Sequence, residues 1–339
     1  MPQQWLTHSK TAFEGYYARF LLPSGASLAL VICSVPKASN KPFMVSLTYV
    51  PLDAPATRHE IWVPNITSTN TGSESFHILI PGIGFMNSDH HGKIEYSIQD
   101  EDTGTMFQAT ATSRAPWTPE DFSSSPEGWI ANLPLPMHWY VHSIASNSTF
   151  SLCLPSAKVP PVDASGTADV HIEKNWAKSF PKAHIWIQAR DPDHGSSFCA
   201  AGGKILGLNA FLLGYRSEDL NLNFKPPFAL SVAGISPFLS VNVNWEQRTV
   251  TLSVSGILRK IVIKAKAPKG TFFTLSSPFP EGHRENYLAQ SFQAKIDVQI
   301  YDRQRITSWR LVKQDHFEGA ALEFGGGHYP FAGTNVRTH

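Results

Sequence analysis

Short runs of alternating apolar and polar residues, broken by frequent prolines and glycines, constrain this chain more than any other feature. The runs are rich in β-branched and aromatic residues, and clusters of Gly, Pro, Asn and Ser separate them. With 25 prolines and 23 glycines among 339 residues, long helices have little room. We predict an all-β protein of sandwich or barrel type, with short connecting helices near residues 119–122 and 284–290.

The predicted strands cover both halves of the chain. They are 17–22, 27–33, 44–50, 76–80, 94–98, 106–112, 170–176, 185–189, 228–232, 240–245, 249–254, 260–266 and 294–300. Between them, residues 155–166 are dense in Pro, Ser, Ala and Gly and poor in large apolar side chains. We therefore predict an N-terminal β domain over 1–154, a linker over 155–166 and a larger, barrel-like β domain over 167–339.

The composition excludes several classes of function. Only 16% of the residues are charged, where a typical domain has about 25%. The net charge of +1 gives no field that would attract nucleic acid or an anionic membrane. A content of 42% hydrophobic and 12% aromatic residues excludes disorder and suits a hydrophobic small-molecule partner. No segment is long and apolar enough to span a bilayer or to resemble a signal peptide, so we expect a cytoplasmic protein.

Motifs of familiar catalytic classes are absent from the sequence. There is no nucleophile elbow, phosphate-binding loop, zinc-protease motif or dinucleotide fingerprint. The cysteines, Cys33, Cys153 and Cys199, are too scattered for a disulfide framework or a zinc site, and we predict buried free thiols. The triplet Gly325–Gly327 lacks a following helix pattern, which favours a tight bend over a phosphate cradle. An enzyme of this composition would act by shape and hydrogen bonding on an apolar substrate.

One predicted strand, residues 169–176, places polar and apolar side chains on opposite faces, because side chains alternate along a strand. One face carries Val170, Ile172, Lys174 and Trp176, and the other carries His171, Glu173 and Asn175. The second set could bind and polarise a ligand oxygen. It could equally be the solvated face of a half-buried strand.

Two further segments hold candidate binding residues. In residues 180–188, Trp186 and Gln188 share a face that could be a cavity wall or the outside of a barrel. In residues 136–142, His138, Tyr140 and His142 share a face. The Cα atoms of the two histidines would lie about 13 Å apart on a strand, too far for one metal ion, so we expect no metal site.

Four segments, taken in order, resemble the tocopherol cyclase family. Residues 13–19 are similar to the family's F-E-G-W-Y-x-R opening, and 173–188 to its E-K-N-W-G-x-x-F-P-x-x-W-x-W-x-Q segment. Residues 136–139 match a P-H-W segment, and 322–327 are similar to a V-E-I-G-G-G ending. Departures occur at Ala177, where the family has Gly, and at His184, where it has Trp. Some fungal biosynthetic proteins of similar length also look related.

The resemblance implies two lipocalin-like β domains with an apolar cavity in or between them. It implies closure of an oxygen-containing six-membered ring, either by addition of a phenol oxygen to a prenyl double bond or by hetero-Diels–Alder reaction of an o-quinone methide with a sesquiterpene alkene. Neither reaction needs a metal or organic cofactor. Holding two partners in reactive geometry can contribute about 7–11 kcal/mol to such a reaction. The alternatives are a non-catalytic carrier of hydrophobic molecules and an isoprenoid hydratase.

Together these patterns nominate site residues. We predict Glu173 as a proton donor and Asn175 as a hydrogen-bond donor to a substrate carbonyl, with His171 as a third catalytic residue. An alternative is that Glu173 and Lys174 form an internal, structural ion pair. Candidate substrate-binding residues are Trp176, Trp186, Gln188, His138, Tyr140 and Tyr17.

Overall fold

The computed structural model describes residues 4–178, 180–205, 207–305 and 308–334. Antiparallel strands dominate this part of the chain and curl into two large sheets, which confirms the all-β prediction. Each sheet contains eleven of the described strands. Among the residues described, no helix is long and apolar enough to cross a membrane.

The first sheet is built from strands of the N-terminal half. Its strands are β1 (Phe13–Leu21), β2 (Ser27–Ser34), β3 (Phe43–Val50), β4 (Thr57–Val63), β5 (Thr67–Asn70), β6 (Phe76–Ile80), β7 (Gly84–Ser88), β8 (Ile94–Asp100), β9 (Thr105–Thr112), β10 (Met137–Cys153) and β11 (Ser165–Ala177). Their order across the sheet is β4-β3-β2-β1-β11-β10-β9-β8-β7-β6-β5. Strand β11 therefore lies in the middle, between β1 and β10.

The second sheet contains the remaining strands. They are β12 (Ala183–Asp191), β13 (Ser196–Ile205), β14 (Leu208–Arg216), β15 (Asn221–Phe224), β16 (Leu230–Val232), β17 (Leu239–Asn244), β18 (Thr249–Ser255), β19 (Arg259–Lys266), β20 (Phe273–Phe279), β21 (Gly282–Arg303) and β22 (Trp309–Gly326). Their main order is β15-β14-β13-β12-β22-β21-β19-β18-β17, with β16 paired to β14 and β20 to β21.

The chain divides into two compact units, and the division falls at Phe180–Pro181 rather than within 155–166. Unit 1 ends at Phe180 and also takes in Pro278–His283, while unit 2 holds the rest. The predicted linker belongs to unit 1 because its buried Asp163 accepts hydrogen bonds from the Ser24 hydroxyl (2.6 Å) and the Tyr49 hydroxyl (2.9 Å). Strand β11, which follows this segment, pairs with β1 and β10 and completes the first sheet.

Each unit has its own hydrophobic core on one side of its sheet. In unit 1 the core includes Phe20, Ile172 and Phe107, and in unit 2 it includes Ile187 and Phe324. Alternation along the strands directs these side chains inward, as the period-two pattern predicted. We call the side of the first sheet that bears the unit 1 core its inner face, and the opposite side its outer face.

Strand β10 contains two irregularities in its pairing with β11. The register shifts between Val141 and Ser143 and again between Ser143 and Ser146. Each shift adds one residue to β10 relative to its partner, as a β-bulge does. Beyond the second shift the pairing is regular to Ser151.

Three local expectations were wrong. Residues 284–290 belong to β21 instead of a helix, because β21 pairs with β20 and, from Leu288 onward, with β22. Residues 119–122 form a turn with an isolated bridge between Thr118 and Asp121; the short 3-10 helices lie at Gly128–Asn132 and Pro161–Asp163. Cys33 and Cys199 are buried free thiols as predicted, but Cys153 is exposed, because the end of β10 directs it outward.

In unit 2, the glycine triplet ends strand β22 and makes room for an imidazole. A turn follows Gly326, whose φ of 56° suits glycine. Gly325 pairs with His184 of β12, and a Cβ built on Gly325 would lie 1.8 Å from the Cε1 atom of that ring. The ring cannot move aside easily, because it is buried and its Nε2 atom lies 2.8 Å from Glu323 Oε1.

We therefore expect Gly325→Ala to lower the free energy of unfolding by about 1–3 kcal/mol, through overpacking against His184. Gly327→Ala is a matched control, because its Cβ would meet the protein no closer than 3.5 Å. Urea denaturation of both variants gives the comparison. Equal stability of the two variants would contradict this account of the triplet.

Candidate functional site

Strand β11 presents its predicted residues on two faces of the first sheet. Lys174 and Trp176 lie on the inner face, and His171, Glu173 and Asn175 on the outer face, as the alternation predicted. The outer face is not solvated at this point, since His171 and Glu173 are buried and Asn175 is half-buried.

The neighbouring strands place other predicted residues beside these. On the inner face, Lys174 lies opposite Tyr16 and Tyr140, and Trp176 lies opposite His138. The substrate-binding candidates Trp176, His138 and Tyr140 are therefore neighbours.

On the outer face, Tyr17 of β1 lies opposite Glu173. Tyr17 is half-buried, and it is the binding candidate that shares a face with the three predicted catalytic residues of β11.

His171 and Glu173 form a buried pair on the outer face. The Nε2 atom of His171 lies 3.0 Å from Glu173 Oε2, and its Nδ1 atom lies 3.3 Å from the carbonyl oxygen of Ile144. Since a carboxylate and a carbonyl accept hydrogen bonds, a hydrogen on Nε2 is donated to Glu173 and a hydrogen on Nδ1 to Ile144. The ring and the carboxyl group are therefore a hydrogen-bonded acid–base pair in the interior.

Asn175 lies two residues further along the same face, and the sequence makes room for it. A Cβ at Gly15, the cross-strand partner of Asn175, would lie 3.0 Å from the Asn175 Oδ1 atom. Glycine at position 15 thus lets the amide lie against the backbone of β1. No hydrogen bond joins the Asn175 amide to another of the residues described, so it can donate to a ligand.

On the inner face, the ammonium group of Lys174 is completely buried and surrounded by acceptors. Its Nζ atom lies 2.6 Å from Glu14 Oε1 and 2.9 Å from His8 Nδ1, and it donates to the backbone carbonyls of Trp5 and Leu6. Burial lowers the pKa of Lys174 to about 8, although Glu14 acts in the opposite direction. Burial also raises the pKa of Glu14, but Lys174 and His8 outweigh that effect and the net direction is downward. Glu173 and Lys174 therefore have different described partners, and the predicted ion pair between them is not among them.

The ring of Trp176 stacks with two imidazoles. The centroid distance is 4.2 Å to His8 and 4.9 Å to His138. His138 belongs to β10, and His8 lies beside Glu14 of β1. Because Trp176 is also buried, little of its ring is open to a substrate.

The N-terminal segment supplies an indole to the inner face as well. Trp5 is buried, stacks on His142 with a centroid distance of 4.0 Å, and lies within 6.1 Å of Tyr16, Phe76 and Tyr140. Its Nε1 atom donates to the Ser88 hydroxyl over 2.8 Å. This part of the inner face is thus lined with aromatic rings.

In unit 2, Trp186 and Gln188 lie on the side of β12 that faces away from the unit 2 core. His184 shares that side, and its Nε2 atom lies 2.8 Å from Glu323 Oε1. Gln290 donates from Nε2 to Glu323 Oε2 over 3.1 Å. All five side chains are buried, so this second polar cluster is shielded from solvent. His184 stands where the tocopherol cyclase pattern has tryptophan.

Two carboxylates of these clusters could not be assigned their partners from the sequence. Glu14 lies within the opening motif and Glu127 in a loop, yet neither position follows a spacing that predicts its partner. Glu14 reaches Lys174 through the pairing of β1 with β11, which joins residues far apart in the sequence. Its contact with His8, and that of Glu127 with His138, are made across short loops whose conformation no spacing rule predicts. Among the described residues, no group of three or more His, Cys, Asp or Glu side chains could hold a metal ion.

Solved structures share this fold. CghA crystallised with Sch210972 aligns with a TM-score of 0.59 and 10% identity, over 94% of this chain and 89% of CghA. A second CghA structure aligns with 0.59 and 12% identity, over 93% and 88%. Kievitone hydratase from Nectria haematococca aligns with 0.53 and 10% identity, over 96% and 92%. No protein-family model and no curated protein match the sequence. At these identities the likeness concerns the fold.

The buried ion pair generates a prediction about stability. Lys174→Met would leave the Glu14 carboxylate in the interior without its cation, so we expect a loss of about 3–5 kcal/mol in the free energy of unfolding. The double variant Lys174→Met/Glu14→Gln removes that charge and should recover part of the loss. Urea denaturation measures both, and a double variant no more stable than the single one would contradict the assigned pairing.

The buried imidazole of His142 generates a prediction about pH. Burial, with Arg114 adding to it, holds the pKa of His142 well below its usual value of 6.5. Below pH 6.5 the unfolded chain therefore binds a proton at His142 that the folded chain does not, and stability falls as the pH falls, by at most about 1.4 kcal/mol per pH unit. His142→Phe keeps a flat ring and removes this contribution.

We expect the difference in unfolding free energy between His142→Phe and the unsubstituted protein to widen in favour of the variant from pH 7 to pH 5. Denaturation at each pH gives the two curves. His91→Phe, at an exposed position, is the control and should leave the slope unchanged. Parallel curves for the unsubstituted protein and His142→Phe would contradict the prediction.

Proposed function

We propose that the chain is a cofactor-free cyclase of natural-product biosynthesis. It would close a dihydropyran or chroman ring by hetero-Diels–Alder reaction of an o-quinone methide with a humulene-type alkene, as a relative of the tocopherol cyclase-like proteins. The observation that carries the proposal is the buried, hydrogen-bonded His171–Glu173 pair on the same strand face as the Asn175 amide. The ordered motifs and the fold shared with CghA and kievitone hydratase support the same class.

The outer face of β11 can act on a carbonyl oxygen. In the cycloaddition, the quinone-methide oxygen bonds to one alkene carbon while the exocyclic carbon bonds to the other, and the ring becomes aromatic. Negative charge grows on that oxygen as the bonds form. The Asn175 amide and the His171–Glu173 proton would donate to it, and such hydrogen bonds strengthen most in the transition state. No atom is lost or gained by the protein.

The substrate-binding roles divide by face. Tyr17 lies beside Glu173 and would contact the aromatic partner of the reaction. Trp186 and Gln188 lie on the side of β12 that faces away from the unit 2 core. We propose that there they form an apolar wall with one polar group in unit 2. His138, Tyr140 and Trp176 lie on the inner face of the first sheet, so they cannot contact the same atoms as Glu173.

Hydration of an alkene is a second candidate, because a hydratase shares the fold over most of both chains. The His171–Glu173 pair would give its proton to one alkene carbon. Water would bond through oxygen to the other carbon and return a proton to the pair, which restores the starting state. The same residues therefore serve both reactions, and only the products separate them.

The experiment combines the purified protein with a quinone-methide precursor and a humulene-type sesquiterpene. We expect a faster reaction and a different stereochemical ratio of cycloadducts from those of the spontaneous reaction. Incorporation of oxygen from labelled water would assign the hydratase instead. Tight binding with the spontaneous rate and stereochemistry would assign a carrier and overturn both catalytic proposals.

Two substitutions test the proposed catalytic residues. Asn175→Ala should lower turnover by about 10²–10³-fold, through loss of a donor to the developing oxyanion. Glu173→Gln can still donate to His171, so its fold is retained, but it cannot give up a proton, and we expect a loss of about 10²–10⁴-fold.

Both variants should keep their thermal transitions. Exposed Asn65→Ala and Glu120→Gln are matched controls for the side-chain changes. A large fall in the transition temperature of Glu173→Gln, with unchanged turnover of the folded fraction, would show that the pair is structural.

A further inference from the structure

A carboxylate of unit 1 that no predicted role uses is held by three donors. Glu127 is 1% exposed. Its Oε1 atom accepts the backbone N–H of Trp139 over 2.8 Å, and its Oε2 atom accepts from Gln4 Nε2 over 3.3 Å. The third donor is His138, whose Nδ1 atom lies 2.9 Å from Oε2. This set of donors fixes the carboxylate in position within the interior.

The Glu127 carboxylate determines the state of the His138 ring. Because a carboxylate only accepts, Nδ1 of His138 carries the hydrogen, and the neutral ring has its lone pair on Nε2. The Nε2 atom has no hydrogen-bond partner in the part of the chain that the structure describes. The side chain is 15% exposed, so this lone pair is within reach of a ligand.

The plane of the His138 ring is also fixed. The imidazole stacks on Trp176 at an interplanar angle of 14°, and the Trp139 N–H bond to Glu127 holds the backbone next to it. An imidazole with a carboxylate on Nδ1, a restrained plane and an open Nε2 has the arrangement of a general base.

The surroundings select the chemistry of a ligand. The nearby cations are occupied, since Lys174 pairs with Glu14 and Arg114 donates to the Tyr140 hydroxyl over 2.8 Å and to backbone carbonyls. An anionic ligand would therefore find no free cation among these residues. The inner face here is made of rings, so it suits a flat aromatic molecule whose neutral hydroxyl donates to Nε2.

We propose that His138, positioned by Glu127, binds an aromatic compound with an acidic hydroxyl, of the phenol class, and accepts its proton. The O–H bond breaks heterolytically, the proton goes to Nε2, and the oxygen keeps the electron pair. The resulting imidazolium is stabilised by the Glu127 carboxylate. This site lies on the inner face of the first sheet, and the inference does not depend on the ring closure assigned to the outer face.

The test uses two probes of nearly the same shape, 4-nitrophenol and 4-nitroanisole, with the full chain. Their absorption spectra separate neutral phenol from phenolate, and the methyl ether cannot donate a proton. At a pH where free 4-nitrophenol is mostly neutral, we expect the bound probe to show the phenolate band and 4-nitroanisole to bind about 10- to 100-fold more weakly. Equal binding of the two probes, or binding without the phenolate band, would overturn the proposal.

Two variants assign the band to His138. His138→Asn keeps a donor near the Nδ1 position and removes Nε2, so the band should vanish while the fold remains. In Glu127→Gln the amide nitrogen donates a hydrogen bond and cannot accept one. It therefore favours the His138 tautomer with its hydrogen on Nε2, which cannot accept a proton from the ligand. This variant should bind the neutral phenol without the phenolate band.

His194→Asn is the matched control. His194 also lies with Nδ1 2.8 Å from a carboxylate, Asp191, but it is 81% exposed and outside this cluster. Its substitution should leave the band unchanged. A phenolate band that survives in His138→Asn would place the bound phenolate elsewhere and overturn the assignment. This result can be obtained even if Glu127→Gln does not fold.

Discussion

The ammonium group of Lys174 is the charge around which the inner end of unit 1 is arranged. A lone ammonium in an apolar interior is costly, and here the cost is offset by one carboxylate, two backbone carbonyls, an imidazole and two ring faces. Two of these acceptors, the carbonyls of Trp5 and Leu6, belong to the N-terminal segment. The hydrogen bonds from Lys174 to these carbonyls therefore also fix the N-terminal segment, which places Trp5 among the rings and Gln4 beside Glu127. Removing this cation would affect packing, the N-terminal segment and the His138 environment together.

Strand β11 separates two sets of polar groups that are adjacent in sequence. Glu173 and Lys174 are covalent neighbours, yet one is hydrogen-bonded to His171 and the other neutralises Glu14. The pleat directs them to opposite faces, with the backbone of the sheet between them. A single motif can thus serve the fold through one residue and carry proposed chemistry through the next. This is why the pair cannot be understood as one ion pair, although its sequence suggests that.

The sequence predicts the class of fold and the faces of β11 well, because both follow from local periodicity. The thirteen expected strands all find a counterpart, and the placement of His171, Glu173 and Asn175 on one face is confirmed. The boundary between the units was not predictable in the same way. Residues 155–166 have linker composition, but Asp163 ties them to Ser24 and Tyr49 through contacts over more than a hundred residues. The partners of Lys174 and His138 were equally unpredictable: Glu14 meets Lys174 through the pairing of β1 with β11, and Glu127 meets His138 through the conformation of the loop before β10. The helix prediction for residues 284–290 was wrong for a related reason, because pairing within the sheet outweighs their helical composition.

The second bulge of β10 reverses the effect of the first on which side chains face the core. One extra residue reverses which side chains of a strand point inward, and a second extra residue restores the original parity. Between Met137 and Val141 and again beyond Ser146, the even-numbered residues face the core, so Tyr140 and Phe150 pack in one cluster although two insertions separate them. A change of length by one residue in this stretch would exchange the faces of everything on one side of it. A change of length by two residues would leave those faces unchanged. The strand can therefore tolerate insertions or deletions only of an even number of residues, because only these keep the same side chains facing the core at both of its ends.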